Sequence, residues 1–278
     1  MFPDMENTSK KYRIFATDFD GTLNRQDDYV SDFTRETLRE FIEGGGLFII
    51  ATGRMFDAVI SRLPDFGLDK YDFPIISYNG GFAKMSMSGR EFCRATFSRK
   101  TAAKILKYGE KAGLFGQTYS DGLIIGKDGS VFTKWYAGKF DMRYETVPDL
   151  SAYALASPAE TEKIIFYTED GVRPHIQKIS AKFGDKAKFV ASWTTLLEAI
   201  PIDSGKDVAL EKVLKALGYR LDDCVAAGDN LNDLDMVAHA GFGVAVANAE
   251  PELKAVAKFV TAACGDDGVA KAIRQFCL

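Results

Sequence analysis

Residues 14–24 read IFATDFDGTLN, and this stretch places two aspartates at the end of an apolar run. Ile14 and Phe15 are typical of a buried strand, and Asp18 and Asp20 follow with one residue between them. Side chains two positions apart on a strand point to the same face, so the two carboxylates are predicted to converge on one small volume. Like charges held that close raise each other's pKa unless a cation lies between them. The stretch therefore predicts either a bound cation or a proton shared between the two acids.

The segments that follow alternate between apolar runs and helix patterns. LFIIATGR (residues 47–54) and FPIISYNGG (residues 73–81) are continuously apolar before they end in polar residues, as parallel strands buried on both faces are. A helix pattern separates the first run from LFIIATGR, because apolar residues recur at helical spacing in SDFTRETLREFIEGGG (residues 31–46). This alternation predicts an α/β fold with a Rossmann-like parallel sheet and helices on its faces.

The alternation changes in the middle of the chain. From about residue 83 to residue 193, short strand patterns are mixed with two helix patterns, which predicts a separate α+β domain. The first pattern then resumes with SGKDVALEKVLKALGY (residues 204–219) and CVAAGD (residues 224–229). We therefore expect a core formed by residues 12–86 and 192–278, interrupted by an inserted domain at residues 87–191.

Charged, polar or small residues follow the predicted strands of the core. Ligands of an open α/β sheet bind beyond the carboxyl ends of its strands, so these residues are predicted to meet at one edge. They are Asp18, Asp20, Thr52, Gly53, Arg54, Asn79, Asp229, Asn232 and Asp233, together with Lys206 near the start of a helix.

The residue types in this set favour phosphoryl transfer. Aspartate oxygens are hard ligands that suit Mg²⁺, and Mg²⁺ usually completes its coordination with water and substrate phosphate. Thr52 and Gly53 offer a hydroxyl and a backbone N–H near a helix N-terminus, where phosphate binds readily. Lys206 would neutralise the remaining negative charge. Positioning and charge neutralisation supply most of the catalysis in phosphoryl transfer.

The same residues carry a family resemblance. DFDGTL (18–23), ATGR (51–54), SGK (204–206) and GDNLND (228–233) resemble, in this order, the four motifs of the haloacid dehalogenase superfamily. The insert is similar to the class IIB cap, and the chain beyond its first eleven residues resembles the Cof-type sugar-phosphate phosphatases. The resemblance implies a Rossmann-like core that carries an inserted α+β cap domain.

The resemblance also implies catalytic roles. Asp18 is the expected nucleophile that forms an aspartyl-phosphate, and Asp20 is the expected general acid and then base. Mg²⁺ is expected to be held by Asp18, the backbone carbonyl of Asp20, Asp229 and, through water, Asp233. Lys206 is expected to pair with the nucleophile and the phosphate.

Other residues are expected to contact substrate. The resemblance implies that Thr52 and Gly53 hold the phosphoryl oxygens and that Asn232 bonds the phosphate or orders a metal ligand. Arg54 is predicted either to touch substrate or to form a salt bridge at the sheet edge. Asn79 is predicted either to hold substrate or to brace the glycine turn that follows it.

Selectivity is expected to lie in loops of the inserted domain. GQTYSDGLIIG (residues 116–126), with Tyr119 and Asp121, and DGSVFTKWYAG (residues 128–138) are the candidate surfaces. The second stretch contributes Lys134, Trp135 and Tyr136.

We thus predict a Mg²⁺-dependent phosphatase that hydrolyses small phosphate monoesters, with sugar phosphates favoured by the resemblance. A phosphotransferase or phosphomutase on the same scaffold and a non-catalytic metabolite-binding protein are the alternatives. The net charge of −4 disfavours nucleic acid and anionic membranes as partners. The scattered cysteines and the polar first eleven residues, which we read as a short tail, predict a cytoplasmic protein. We expect a monomer or weak dimer.

Overall fold

The computed structural model describes residues 12–25, 27–120 and 122–278, and the strands in these ranges form two separate sheets. The predicted N-terminal tail lies outside the described residues. The strands of the first sheet lie in the spatial order Phe259–Val260, Phe242–Ala245, Cys224–Gly228, Ile14–Thr17, Leu47–Ala51, Pro74–Ser77, Phe82–Met85 and Glu91–Arg94. Those of the second sheet lie in the order Ala187–Trp193, Leu196–Pro201, Ile164–Tyr167, Phe115–Ser120, Leu123–Lys127 and Tyr144–Val147.

The first sheet is parallel except at one edge. Ile14–Thr17 pairs in parallel with both of its neighbours, so that Ile14 lies opposite Leu47 on one side and Cys224 on the other. The strands Phe82–Met85 and Glu91–Arg94 continue the sheet in antiparallel pairing. The predicted α/β fold with a Rossmann-like sheet is therefore confirmed.

Helices cover both faces of this sheet. Phe15 and Phe48 pack into an apolar cluster with helix residue Leu38, whereas Ile14 and Ile49 pack into another cluster with Leu210. Burial on both faces explains why these strands are continuously apolar. The α-helices of the described residues are Asp32–Glu43, Phe56–Ile60, Leu63–Phe66, Arg99–Lys111, Val131–Lys139, Leu150–Ala156, Arg173–Phe183, Lys206–Ala216, Leu234–His239, Pro251–Val256 and Gly268–Phe276.

The first helix shows how local sequence sets its ends. Ser31 is the N-cap, and its Oγ accepts the backbone N–H of Thr34 at 3.0 Å. The helix ends at Glu43 and is followed by Gly44. None of the helices in the described ranges combines the length and apolar character of a membrane span.

The second sheet forms an inserted domain whose limits differ from the predicted ones. Glu91–Arg94 belongs to the first sheet, although the predicted boundary at residue 87 put it in the insert. Ala187–Trp193 and Leu196–Pro201 form one antiparallel hairpin, which the predicted boundary at residue 191 would divide. Short strand patterns look alike in both sheets, so the sequence did not reveal which sheet each would join. We call residues 97–201 the inserted domain and the rest the core.

Both chain connections between the sheets pass over one turn of the core. The backbone N–H of Ala95, on the way into the inserted domain, bonds the Gly81 carbonyl at 2.7 Å. On the way back, Gly205 packs on Gly80 so closely that a Cβ at position 80 would lie 2.1 Å from the Gly205 carbonyl oxygen. The turn at residues 78–81 is therefore in contact with both crossings.

Replacing Gly80 by alanine should destabilise the protein strongly. Gly80 has a φ of 93°, and the added methyl group would clash with the backbone of Gly205. The left-handed backbone conformation and the overpacking together should lower the free energy of unfolding by about 3 kcal/mol. Denaturant unfolding measures the loss. Gly89→Ala is the matched control, because Gly89 has a φ of 72° with open space around its Cβ position. Equal losses in the two variants would contradict the role of the contact.

Candidate functional site

The carboxyl ends of three adjacent parallel strands lie at one edge of the first sheet. Ile14–Thr17 is the central strand of the three, and Asp18, Asp229 and Thr52 directly follow them. This edge is where an open α/β sheet forms its ligand crevice. Asp18, Thr52 and Asp229 therefore lie at one edge of the sheet, as predicted.

Lys206 links two of the acidic residues. It is the first residue of its helix, and its Nζ donates to Asp18 Oδ1 at 2.5 Å and to Asp233 Oδ1 at 2.6 Å. Its side chain is fully buried. Burial alone would lower the pKa of Lys206, but the carboxylates of Asp18 and Asp233 outweigh this effect and raise its pKa. The ammonium group therefore fixes Asp18 by a charge-assisted hydrogen bond.

Three carboxylates gather around this lysine. Asp18, Asp229 and Asp233 each offer an oxygen, and these oxygens all lie within 4.8 Å of one another. Burial and the negative charge of Asp233 raise the pKa of Asp18 well above its usual range, although Lys206 opposes the shift. The same two causes raise the pKa of Asp229 to about 6. Buried hard oxygens with more negative charge than one lysine can balance are a donor set that fits Mg²⁺.

Asp233 also organises the loop that carries Asp229. Its Oδ2 accepts the backbone N–H groups of Asp229 and Asn230, each at 3.1 Å. Both of its oxygens thus have partners, and its carboxylate orients the neighbouring acid as well as Lys206.

Two further residues shape the cluster around Asp229. Thr22 Oγ1 donates to Asp229 Oδ1 at 2.8 Å. A Cβ at Gly21, whose φ is 80°, would lie 2.6 Å from Asp229 Oδ2, so only glycine leaves room for this carboxylate. Neither residue was among the predicted site residues, although both lie within DFDGTL.

The two carboxylates of the opening stretch have different hydrogen-bond partners. The strand ends at Thr17, so its alternation of faces does not extend to Asp20. Asp18 contacts Lys206, whereas Asp20 accepts two hydrogen bonds from Arg54, each at 2.6 Å. Each carboxylate therefore has its own cationic partner, and their convergence on one small volume stays a prediction.

Arg54 forms a salt bridge, one of its two predicted roles. Its guanidinium carbon lies 5.1 Å from the ring centroids of both Phe19 and Phe140. Phe140 comes from the inserted domain, so this stack joins the two domains beside Asp20. Such contacts between a cation and an aromatic face are favourable.

Thr52 and Gly53 begin the loop between strand Leu47–Ala51 and helix Phe56–Ile60. Thr52 is buried, and its Oγ1 accepts the backbone N–H of Arg54 at 3.1 Å. The loop thus starts at the sheet edge that carries the acidic cluster.

Asn79 and Asn232 contact each other. Asn232 Nδ2 donates to Asn79 Oδ1 at 3.0 Å, and Asn79 Nδ2 donates to Glu198 Oε2 at 2.8 Å. Asn79 is buried and has a φ of 55°, a left-handed conformation that asparagine tolerates better than most residues. Its side chain therefore joins Asn232 of the core to Glu198 of the inserted domain, while its two predicted roles stay predictions.

Lys163 and Glu198 are interface residues that sequence analysis missed. Lys163 Nζ donates to the Gly53 carbonyl at 2.7 Å and lies 3.1 Å from Glu198 Oε2. Both side chains are buried. Neither residue belongs to a recognisable motif, because each is one charged residue in a strand-like segment.

The candidate surfaces of the inserted domain differ from the expected loops. Tyr119 lies in strand Phe115–Ser120 and is buried, with its hydroxyl accepting a hydrogen bond from Gln117 Nε2 at 3.2 Å. Lys134, Trp135 and Tyr136 lie on a helix rather than a loop, because Ser130 caps the N-terminus of that segment. The first two are exposed and Tyr136 is half-buried. Asp121 lies outside the described residues.

Comparison with known proteins gives one family. The family model described as haloacid dehalogenase-like hydrolase matches residues 15–273. Among curated proteins, the chain is 28% identical over 292 residues to the 5-amino-6-(5-phospho-D-ribitylamino)uracil phosphatase YwtE of Bacillus subtilis. That alignment covers 95% of this chain and 97% of the relative.

Solved structures share the fold over almost their whole length. A haloacid dehalogenase-like hydrolase from Bacteroides thetaiotaomicron superposes with a TM-score of 0.84 at 25% identity, covering 95% of this chain and 99% of that one. The haloacid dehalogenase subclass IIB sugar phosphatase BT4131 superposes with a TM-score of 0.81 at 21% identity, covering 95% and 98% of the two chains.

Proposed function

Because the chain belongs to the haloacid dehalogenase-like hydrolases, we propose that it is a phosphatase that hydrolyses small phosphate monoesters with a bound Mg²⁺ ion. The predicted family is thus confirmed. The observation that carries the proposal is the buried contact of Lys206 with Asp18, beside Asp229 and Asp233 at the edge of the sheet.

The acidic cluster supports the metal part of the proposal. Asp18, Asp229 and Asp233, with the backbone carbonyl of Asp20, are the proposed ligands of Mg²⁺. The ion would supply positive charge to the phosphoryl oxygens. The pKa values of Asp18 and Asp229 stay raised although Lys206 lowers them, so one lysine does not balance the negative charge of the cluster. This imbalance supports a bound cation.

Asp18 is the proposed nucleophile. Its carboxylate oxygen would form a bond to phosphorus while the bond from phosphorus to the ester oxygen breaks, and Asp20 would give the leaving oxygen its proton. Water would then attack phosphorus, Asp20 would take up the water proton, and inorganic phosphate would leave with Asp18 restored. Lys206 would hold the carboxylate of Asp18 in place throughout both steps.

Arg54 has a proposed part in this cycle. Asp20 accepts two hydrogen bonds from Arg54, and it must leave this pair before it can donate a proton. We expect the negatively charged phosphoryl group of an incoming substrate to attract the guanidinium and release Asp20.

The substrate class rests on the relatives. One is named as a phosphatase of a ribityl phosphate and another as a sugar phosphatase. Phosphate esters of sugars or sugar alcohols are therefore the proposed substrates, selected by the inserted domain as it covers the site. A cytoplasmic location and a monomer or weak dimer stay predictions.

A phosphate-release screen tests this function. We expect inorganic phosphate to be released from sugar and sugar-alcohol monophosphates in the presence of Mg²⁺, with the dephosphorylated alcohol as the second product. Analysis of the sugar product separates the alternatives. An isomeric sugar phosphate without free phosphate would indicate a phosphomutase, and ligand binding without turnover in Mg²⁺-loaded protein would indicate a binding protein.

A further inference from the structure

Two charged residues of the inserted domain are buried against the core. Glu198 lies on strand Leu196–Pro201, opposite Ile165 of the next strand. Lys163 directly precedes that next strand, Ile164–Tyr167, and its side chain reaches Glu198. The side chains of Lys163 and Glu198 are 1% and 7% exposed, and Lys163 Nζ lies 3.1 Å from Glu198 Oε2.

Each member of this pair also bonds a different loop of the core. Lys163 Nζ donates to the carbonyl of Gly53, whereas Glu198 Oε2 accepts from the amide of Asn79. Asn79 in turn accepts from Asn232, which lies in the loop of Asp229. The pair is therefore bonded, directly or through Asn79, to the loops that follow three of the core strands.

The two contacted loops lie against each other. A Cβ built on Gly53 would meet the Asn79 side-chain oxygen at 3.1 Å. A shift of either loop would therefore disturb the other, and both begin at the edge that carries the acidic cluster.

A gain in stability does not explain this pair well. Two charges removed from water lose hydration free energy, and their mutual attraction offsets only part of that loss. A protein in which apolar residues of similar volume replace such a pair is often equally stable. Well-directed hydrogen bonds from a buried charge, however, fix the orientation of the groups that they contact. The contacts of this pair are directed at one backbone carbonyl and one amide beside the acidic cluster.

We propose that Lys163 and Glu198 are positioning residues, which align the Gly53 peptide and the Asn79–Asn232 pair for phosphate binding when the inserted domain is docked on the core. The proposal rests on the proposed function, because it assigns the phosphoryl group to the loop of Thr52 and Gly53. Docking of the inserted domain and formation of the phosphate site are then one event.

The test compares four variants with the wild type. Lys163→Met and Glu198→Leu each remove one partner, the double variant removes both, and Glu198→Gln keeps an acceptor for Asn79. KM and kcat are measured with p-nitrophenyl phosphate, and the inhibition constant is measured with inorganic phosphate. We expect both single variants and the double variant to raise KM and the inhibition constant about tenfold to a hundredfold, which is the usual effect of losing a charged hydrogen bond. Glu198→Gln should stay within about threefold of the wild type.

The double variant separates positioning from a structural role. An ion pair that only stabilised the interface could be replaced by two apolar side chains, and phosphate affinity would then recover. Recovery in the double variant to within about threefold of wild type would overturn the proposal.

The exposed Lys127–Glu110 pair of the same domain, with Nζ and Oε1 2.6 Å apart, is the matched control. Lys127→Met, Glu110→Leu and their double variant should leave both constants unchanged, and an effect equal to that of Lys163→Met would also overturn it.

Amide hydrogen exchange supplies a readout that needs no turnover. Inorganic phosphate should protect residues 52–54 and 78–80 in the wild type and fail to protect them in Lys163→Met. Equal protection in the two proteins would contradict the positioning role. If the wild type shows this protection but hydrolyses no ester, the proposed function fails while the positioning role stands.

Discussion

Replacing Asp18 by asparagine should lower the turnover number by a factor of about 10⁴ or more, because a neutral amide is a poor nucleophile towards phosphorus. The fold should persist. Asparagine matches aspartate in shape, its side-chain oxygen can accept from Lys206, and it removes one charge from an acidic cluster. Phosphate release and thermal unfolding of the metal-free protein measure the two effects, and the unfolding temperature should not fall.

Asp20→Asn provides the contrast. It should slow leaving-group departure and hydrolysis by about 10²- to 10⁴-fold while Asp18 can still be phosphorylated, so phosphoprotein should accumulate. Asp185→Asn, at an exposed site of the inserted domain, serves as the control and should match the wild type. Full turnover in Asp18→Asn would show that the nucleophile is misassigned.

Removal of divalent metal by a chelator should abolish turnover, and added Mg²⁺ should restore it. The three carboxylates beside Lys206 would otherwise repel the phosphate group of the substrate. Asp229→Asn should require a higher Mg²⁺ concentration for half-maximal rate, because it removes one proposed ligand. Unchanged turnover in the chelator would contradict the metal proposal.

The stabilising effect of Mg²⁺ should depend on pH. The pKa of Asp229 is raised from 3.8 to about 6 by burial and by Asp233, so between these values the folded metal-free protein holds a proton that the unfolded chain has released. This contribution to the free energy of unfolding is present at low pH and is lost as the pH rises through about 6. Mg²⁺ must displace that proton at pH 5 but not at pH 7.5. The increase in unfolding temperature on addition of Mg²⁺ should therefore be larger at pH 7.5, and a larger increase at pH 5 would contradict the assignment.

The strands of the core were predictable because burial on both faces makes their sequences continuously apolar. Leu47–Ala51 is buried on both faces and is therefore apolar throughout, and Thr52 marks where it ends. The limits of the inserted domain were not predictable to the same degree. Glu91–Arg94 joins the first sheet through its pairing with Phe82–Met85, and short strand patterns do not encode their partners. The helix Val131–Lys139 was missed because valine, phenylalanine, tryptophan and tyrosine have low helix propensity, and packing overrides it.

The site was predictable where strand ends determine it. Asp18, Asp229 and Thr52 follow adjacent strands, so topology alone puts them at one edge. Orientation of side chains was harder, because Asp20 lies past the end of its strand and turns to Arg54. The contacts of Lys163 arise from how two domains dock, and no local pattern contains that information.

The shared contact of both chain crossings with the turn at residues 78–81 has a consequence for the length of the insert. A segment that leaves and re-enters a domain at neighbouring points acts, once folded, like a short loop of that domain. The entropy of closing it depends on the gap between its ends and only weakly on its length. Such a module can therefore grow or shrink while the parent sheet keeps its strand order.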